Sequence, residues 1–525
     1  MFKFTKKKHK DSNKYSSDES IELIDSDLHK NINRIKQELG DSSDLIVNFY
    51  KVSEADKLQH AILYIEELAD KASLNSLSLE YAEFIKSPEI NTPDKYYYKL
   101  KNSITGFRNT QEDTKLDSLF EYLLSGYSIF LVDGCKSFFA INTYSPEGRA
   151  IDEPTTQTVI RGPKDGFTEK MSTNIALVRK RIQNKSLRLY KLTLGKVSKT
   201  KAAVMYIDKI AKDEIVSEII KRISRISTDS ILSSANIEEL IKDDRYSVFP
   251  TIINYEKPDS VAAALLEGRI AVFVDGTPFV IVAPALFFEF IQASEDYYNH
   301  YLISSMIRII RYTSFFLTFL VPAVYIALVT FHQEMIPTVL LINIAAQREG
   351  IPFPALVEAF LMEITFEILR EAGIRMPRAI GPAISIVGAL VLGQAAVEAG
   401  IVSAAMVIVV AITAIASFTI PNYSMANAIR ISRFALMLLA GSFGFYGVFM
   451  GLIVLTLHLC KLKSIGIPYL TPLAPFNKTD NKDTLLRFPL WKMTSRPTSI
   501  SGSDKPRVRG TTTVSQGFKE KPEKE

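Results

Sequence analysis

Glu363, Glu367 and Glu371 stand four residues apart in Ala359–Ala372 (AFLMEITFEILREA). At 3.6 residues per turn this spacing sets three carboxylates on one helical face. Within a membrane such a row is costly and marks a functional site. On a membrane surface the same row is the wet side of an amphipathic helix. Spacing alone leaves both readings open. The row is too regular for an acid/base pair and has no partner base. The chain also lacks a nucleophile elbow, a CxxC, an HExxH and a dinucleotide fingerprint, so an enzyme is not expected. His458 has no second ligand at binding spacing, and neither metal nor cofactor is implied.

The flanking sequence sets the context. The uncharged run Tyr312–Phe331 precedes the glutamates, and Ala379–Val397, Ala399–Ile429 and Phe434–Cys460 follow them. Several of these reach the ~18 apolar residues that suggest a membrane span. Residues 1–300 carry charge throughout, and the last 65 are polar again. The expected fold class is a duplicated α/β cytoplasmic domain followed by an all-α polytopic membrane domain. The expected boundaries are a disordered N-terminus at 1–40, α/β repeats at 41–155 and 156–300, a helical membrane domain at 301–465, and a mostly disordered basic tail at 466–525. The start, MFKFTKKKHK, has charge but no apolar core, unlike a secretory signal. Two cysteines, Cys135 and Cys460, imply no disulfide framework, and a net charge of +5 gives no case for nucleic acid.

An internal repeat underlies the soluble part. AILYIEELAD from Ala61 matches AVMYIDKIAK from Ala203, and LLSGYSIFLVDG from Leu123 matches LLEGRIAVFVDG from Leu265. Both pairs share an offset of 142 residues (61 to 203, 123 to 265). Asp133-Gly134 and Asp275-Gly276 lie between β-rich runs and predict a hairpin in each copy. The duplication suits a two-lobed scaffold for subunit contacts. Between the copies, Arg161, Gly162, Pro163 and Lys164 open a turn that reads either as a partner-docking loop or as a solvated linker. Ser172 or Thr173 is expected to cap a basic helix over Asn174–Ile182.

Arg308 and Arg311 precede the first apolar run and place the soluble part in the cytoplasm. Pro322 should kink that helix. Ala379–Val397 is rich in glycine and alanine, so it should pack closely against protein. Ile386, Leu390, Gln394 and Val397 share one of its faces. Around an axis that face makes an apolar constriction; ordinary bundle packing is the plainer use. Met335–Arg378 is interrupted by Pro352-Phe353-Pro354. One crossing there keeps Arg375, Arg378, Arg430 and Arg433 inside and the tail outside, whereas none or two reverses this. A cytoplasmic tail is favoured.

TFHQEMIP (Thr330–Pro337), REGIPFP (Arg348–Pro354), LMEITFEILREAGIRMP (Leu361–Pro377), IGPAISIVGALVLGQAAVEAGIVS (Ile380–Ser403) and SFTIPNYSM (Ser417–Met425) resemble the A-subunit of GerA-type spore germinant receptors. RGPKDGFTE, NIALVRKRI and DGTPFVIVAP agree. The resemblance covers about residues 45–475. It implies a multi-pass protein of the spore inner membrane, partnered by a permease-like B-subunit and a lipoprotein C-subunit, that responds to nutrients. It further implies a homo-oligomer, a pentamer in the family, forming a ligand-gated monovalent-cation channel. On that reading Ile386, Leu390, Gln394 and Val397 line the pore, with Leu390 near its constriction. Glu363, Glu367 and Glu371 become a cation-attracting vestibule. A permease and a non-conducting scaffold are the alternatives; no inverted repeat within 312–460 supports the permease.

Overall fold

The structure, a computed structural model, describes residues 22–51, 59–85, 92–104, 110–144, 153–154, 156–376, 391–478, 480–502 and 506–507. Two compact units emerge: one of residues 1–147 with 183–185, the other of 148–182 with 186–525.

The first unit runs α1 (Leu28–Glu38), β1 (Leu45–Lys51), β2 (Gln59–Ile65), α2 (Lys71–Ile85), α3 (Pro93–Ile104), β3 (Thr110–Asp113), α4 (Leu116–Leu124), β4 (Tyr127–Val132) and β5 (Phe138–Asn142). Its antiparallel sheet has the order β1-β2-β4-β5-β3. The central β4 buries Ile129, Phe130, Leu131 and Val132, each worth about 1.5–3 kcal/mol relative to exposure.

The second unit repeats this plan with α5 (Met171–Arg181), β6 (Leu187–Leu194), β7 (Thr200–Ile207), α6 (Asp213–Ser224), α7 (Ser234–Ile241), β8 (Ile253–Tyr255), α8 (Pro258–Leu266), β9 (Ile270–Val274) and β10 (Val280–Ala283). Its sheet order is β6-β7-β9-β10-β8. Register agrees as well: Phe130 faces Phe139 in the first lobe, and Val272 faces Ile281 in the second. Both predicted hairpin glycines have positive φ, 88° at Gly134 and 87° at Gly276, a conformation glycine adopts without a Cβ penalty.

The preceding aspartates do a second job. Asp133 Oδ1 accepts the Leu28 N–H and Asp275 Oδ1 accepts the Met171 N–H, each at 3.1 Å, so each hairpin satisfies the first turn of a helix. The repeat therefore begins at α1. Residues 22–40, expected within a disordered terminus, belong to the first lobe, because Leu28, Ile32 and Ile35 are core residues. Residues 1–21 lie outside the described residues. The basic helix likewise starts at Met171, ahead of the expected Ser172/Thr173 cap, because Asp275 receives its N-terminus.

The helical half comprises α9 (Tyr301–Phe331), α10 (Thr338–Arg348), α11 (Ala355–Arg375), a helical stretch at residues 391–398, α12 (Ala404–Phe418) and α13 (Tyr423–Lys461). Two of them, α9 and α13, are long and apolar enough to cross a membrane. Pro322 is buried inside α9, which runs on through it. The sharp break comes in α13, at Gly444, with φ 59° and ψ −142°. Beyond it the chain folds back on itself. The Cβ position of Gly451 falls 2.5 Å from Leu436 Cδ2, and that of Gly447 falls against the Leu439 carbonyl oxygen. In a straight helix, residues eight apart would be about 12 Å apart along the axis. Thus α13 is a helical hairpin. This divides the apolar run Phe434–Cys460 between two legs and puts Arg430 and Arg433 inside the first of them.

The hairpin tip meets the C-terminal end of α9, where the Gly444 Cβ position lies 2.7 Å from His332 Cε1. The other end of the bundle meets the second lobe, where His458 Nε2 and Ser247 Oγ are 3.0 Å apart. One hydrophobic core continues from Phe287, Phe290 and Tyr469 through Phe315 and Phe319 to Met437 and Ala440.

The C-terminal segment departs most from expectation. Residues 463–502 pack on the second lobe. Ser464 Oγ receives the Ala285 N–H at 2.9 Å, the buried Tyr469 hydroxyl donates to Pro250 O at 2.6 Å, and Ser501 pairs with Ala211. The composition is polar, but Ile465, Ile467, Tyr469 and Ile500 supply buried apolar anchors. Residues 508–525 lie outside the described residues.

Candidate functional site

Pro352 and Pro354 hold the chain extended into α11, and the following Ala, Leu, Met and Glu favour helix. Helix α11 runs antiparallel to the first leg of α13. Leu356 packs under Gly441, Glu363 meets Arg433, and Glu367 meets Arg430.

The three glutamates therefore have three environments. Glu363 is fully buried, with its Oε2 2.7 Å from Nη2 of an equally buried Arg433. Glu367 is partly buried and lies 2.8 Å from Arg430, 2.5 Å from Arg370 and 3.5 Å from Arg433. Glu371 is exposed and pairs with Arg375 at 2.6 Å. A groove of about 630 Å³ runs past the outer two, lined also by Ile364, Ile368, Ala372 and Phe434. Arginine on the hairpin thus answers the inner carboxylates, a match invisible in local spacing because the partners lie more than sixty residues away. Removing one partner of such a buried pair leaves a bare charge and costs about 3–5 kcal/mol.

A fourth glutamate escaped sequence reasoning. Glu358 is fully buried. Its Oε2 accepts the Ser403 N–H and hydroxyl, each at 3.0 Å, and Arg348 Nε donates to Oε1 at 3.2 Å. Ser403 in turn caps α12 by accepting the Met406 N–H at 3.3 Å. One carboxylate thereby ties α10, α11 and α12 together. Its position five residues before Glu363 breaks the four-residue rhythm, though its apolar neighbours were a usable signal.

Of the expected constriction face, Ile386 and Leu390 lie outside the described residues. Gln394 is exposed and donates to Glu398 Oε1 at 2.8 Å, while Val397 is half-buried. In the loop between the repeats, Arg161, Gly162 and Lys164 are exposed and Pro163 is half-buried. Gly162 has φ 128°, and a Cβ there would meet the Tyr298 ring at 2.7 Å. Lys164 pairs with Glu153 at 2.8 Å.

The arginines read as topology markers are buried at the junction between the second lobe and α9. Asp296 holds Arg308 and Arg311, each at 2.9 Å. From the C-terminal segment, Asp483 Oδ1 reaches Arg308 at 2.8 Å and Oδ2 accepts the Tyr297 hydroxyl at 2.6 Å. Burial pushes the Asp483 carboxyl above its usual range, against the pull of Arg308. In the same lobe burial raises Glu289 to about 7, opposed by Arg269 at 2.6 Å.

These features define a two-lobed α/β protein joined to an apolar helical bundle with charge pairs sealed inside it. The chain belongs to the family described as Bacillus/Clostridium GerA spore germination protein, which it matches over residues 33–499. Spore germination protein KA of Bacillus subtilis (strain 168) is 46% identical over 501 residues, spanning 95% of this chain and 90% of KA. The uncharacterized membrane protein YfkQ of the same organism is 42% identical over 478 residues, 91% of this chain and 92% of YfkQ. Among solved structures, the N-terminal domain of the A subunit of the Bacillus megaterium spore germinant receptor GerK3 is 35% identical. It covers 51% of this chain and 98% of that chain, with a TM-score of 0.39.

Proposed function

We propose that this protein is a membrane-embedded A-subunit of a nutrient-responsive germinant receptor that acts as a ligand-gated monovalent-cation channel. One observation carries the membrane reading: charge faces in and apolar surface faces out. Glu363 and Arg433 are buried, while Ile408, Ile412, Ile415, Phe443, Phe449 and Val454 are exposed. Such an arrangement suits lipid and not water.

The order of helix ends supports an even number of crossings. Helix α9 leaves the lobe and α11 returns. Ser403, on Glu358, lies at the far end of α11, about 25 Å from Arg375 along the axis. Helix α12 then returns beside Phe366, and the hairpin goes out and back. The second lobe and the C-terminal segment so share one side, the cytoplasm; Arg375 lies at that end of α11, while Arg430 and Arg433 lie within the first leg of the hairpin.

Channel activity, assembly as a homo-oligomer such as a pentamer, the B- and C-subunits and the spore inner membrane are drawn from the family resemblance. Leu390 is the proposed constriction, and Glu371, beside its groove, is the most accessible vestibule carboxylate. Reconstituting the full chain in planar bilayers tests this. Cation-selective single-channel currents that persist in the absence of nutrient with Leu390→Ala are expected. Saturable solute uptake without currents would favour a permease, and neither would favour a scaffold.

A further inference from the structure

Helix α9 is too long for its span. Its 31 residues extend about 46 Å, against a hydrocarbon core of roughly 30 Å. The surplus turns lie at the lobe end. One face of them carries Ser304, Arg308 and Arg311, all buried against the lobe, whereas Leu302, Ile303, Met306, Ile309 and Ile310 are exposed. Against these turns runs the segment 484–492 (TLLRFPLWK). Its polar side is turned inward. Tyr312 donates to Thr484 O at 3.1 Å, Ser305 Oγ donates to Arg487 O at 3.1 Å, and the Arg487 guanidinium donates to Asn299 O at 3.3 Å. Leu485, Leu486, Leu490 and Trp491 face outward. Trp491 meets Tyr301 edge-on, with ring centroids 5.8 Å apart. Lys482 precedes the segment and the exposed Lys492 ends it.

We propose that segment 484–492 and the lobe-end turns of α9 form an interfacial anchor seated in the headgroup layer of an anionic lipid bilayer. Three features select lipid as the occupant. The patch continues along α9 to the exposed Phe316, past the exposed Thr313, whose hydroxyl is turned back onto the Ile309 carbonyl at 3.0 Å. It carries a Trp–Tyr pair at the depth where amphipathic rings gather in membranes. Lysines border it, as they border surface-lying segments on anionic lipid. Arg308 and Asp483 then fix the anchor to the lobe, so the lobe is held at a set height over the bilayer. This inference rests on the reading that α9 crosses a membrane.

Trp491 is the sole tryptophan in the chain, which makes its fluorescence a direct probe. The full-length protein is placed in lipid nanodiscs containing phosphatidylglycerol, with acyl chains brominated near the headgroup end or near the methyl end. Shallow bromines should lower the Trp491 emission roughly twofold or more and deep bromines less, as for a residue in the interfacial layer. Discs of phosphatidylcholine alone should quench less; equal quenching would overturn the anionic part of the proposal. Emission indifferent to both bromine positions would overturn the anchor, because another protein surface or water would then cover the patch. A control chain with Trp491→Phe and Tyr190→Trp reports from β6 and should stay unquenched. Failure of the chain to enter the discs at all would instead sink the membrane reading.

Discussion

The pairing of Glu363 with Arg433 separates two roles for the glutamate row. A carboxylate lining water tolerates glutamine, whereas one sealed against a guanidinium leaves that charge stranded. Glu363→Gln should therefore lower the yield of folded protein in membranes, and Glu363→Gln with Arg433→Met should recover much of it. Glu371→Gln should leave yield unchanged and reduce cation conductance, read in the same bilayers. If Glu371→Gln costs folding and Glu363→Gln costs only conductance, the assignment is reversed. Sequence made the row visible because i, i+4 geometry is local. It could not show that Arg430 and Arg433 would reach it, since that needs the antiparallel pairing of α11 with a helix some seventy residues on. Glu358 was missed for the same reason: its partners are an arginine at the end of α10 and a helix cap.

Among elements, the two lobes were the most legible, because a repeat of 142 residues and two Asp-Gly turns are written directly in the chain. Their common beginning at α1 was less so, since the link to Asp133 and Asp275 is tertiary. The α13 hairpin was not legible. Gly441, Gly444, Gly447 and Gly451 recur along the segment, and Gly447 and Gly451 let the legs touch, but a single residue turns the chain. Gly444 combines a positive φ with a neighbour at the site of any Cβ. Gly444→Ala should cost about 1–3 kcal/mol from backbone strain alone, plus the clash with His332. The expected readout is loss of a Leu436–Gly451 cysteine crosslink that forms in the parent chain; a crosslink of undiminished yield would place the turn elsewhere.

For the whole molecule, the decisive relation is between the C-terminal segment and the second lobe. Counting apolar runs favours a cytoplasmic tail without fixing it, because Met335–Arg378 reads as none, one or two crossings. Packing of Tyr469 and Ser501 on the lobe requires a shared compartment. Epitopes inserted at the exposed Tyr190 and after Glu525 should thus resist protease together in right-side-out vesicles and be cut together when the vesicles are opened. Opposite accessibility would contradict the fold. The composition misled here: a stretch that averages as polar still holds Ile465, Tyr469 and Ile500 as buried apolar anchors.

Strand β7 and helix α6 are covered by residues near position 500, and Ile500 is completely enclosed there. The first lobe can close once the chain up to residue 185 has left the ribosome. The second cannot: its last core residue is synthesised only after every apolar helix. On the proposed membrane reading, this lobe waits, part-built, while the bundle inserts, and closure becomes the final event of biogenesis. A chain cut short after α13 would keep all its helices yet carry an unfinished lobe, a form that quality-control proteases are suited to remove.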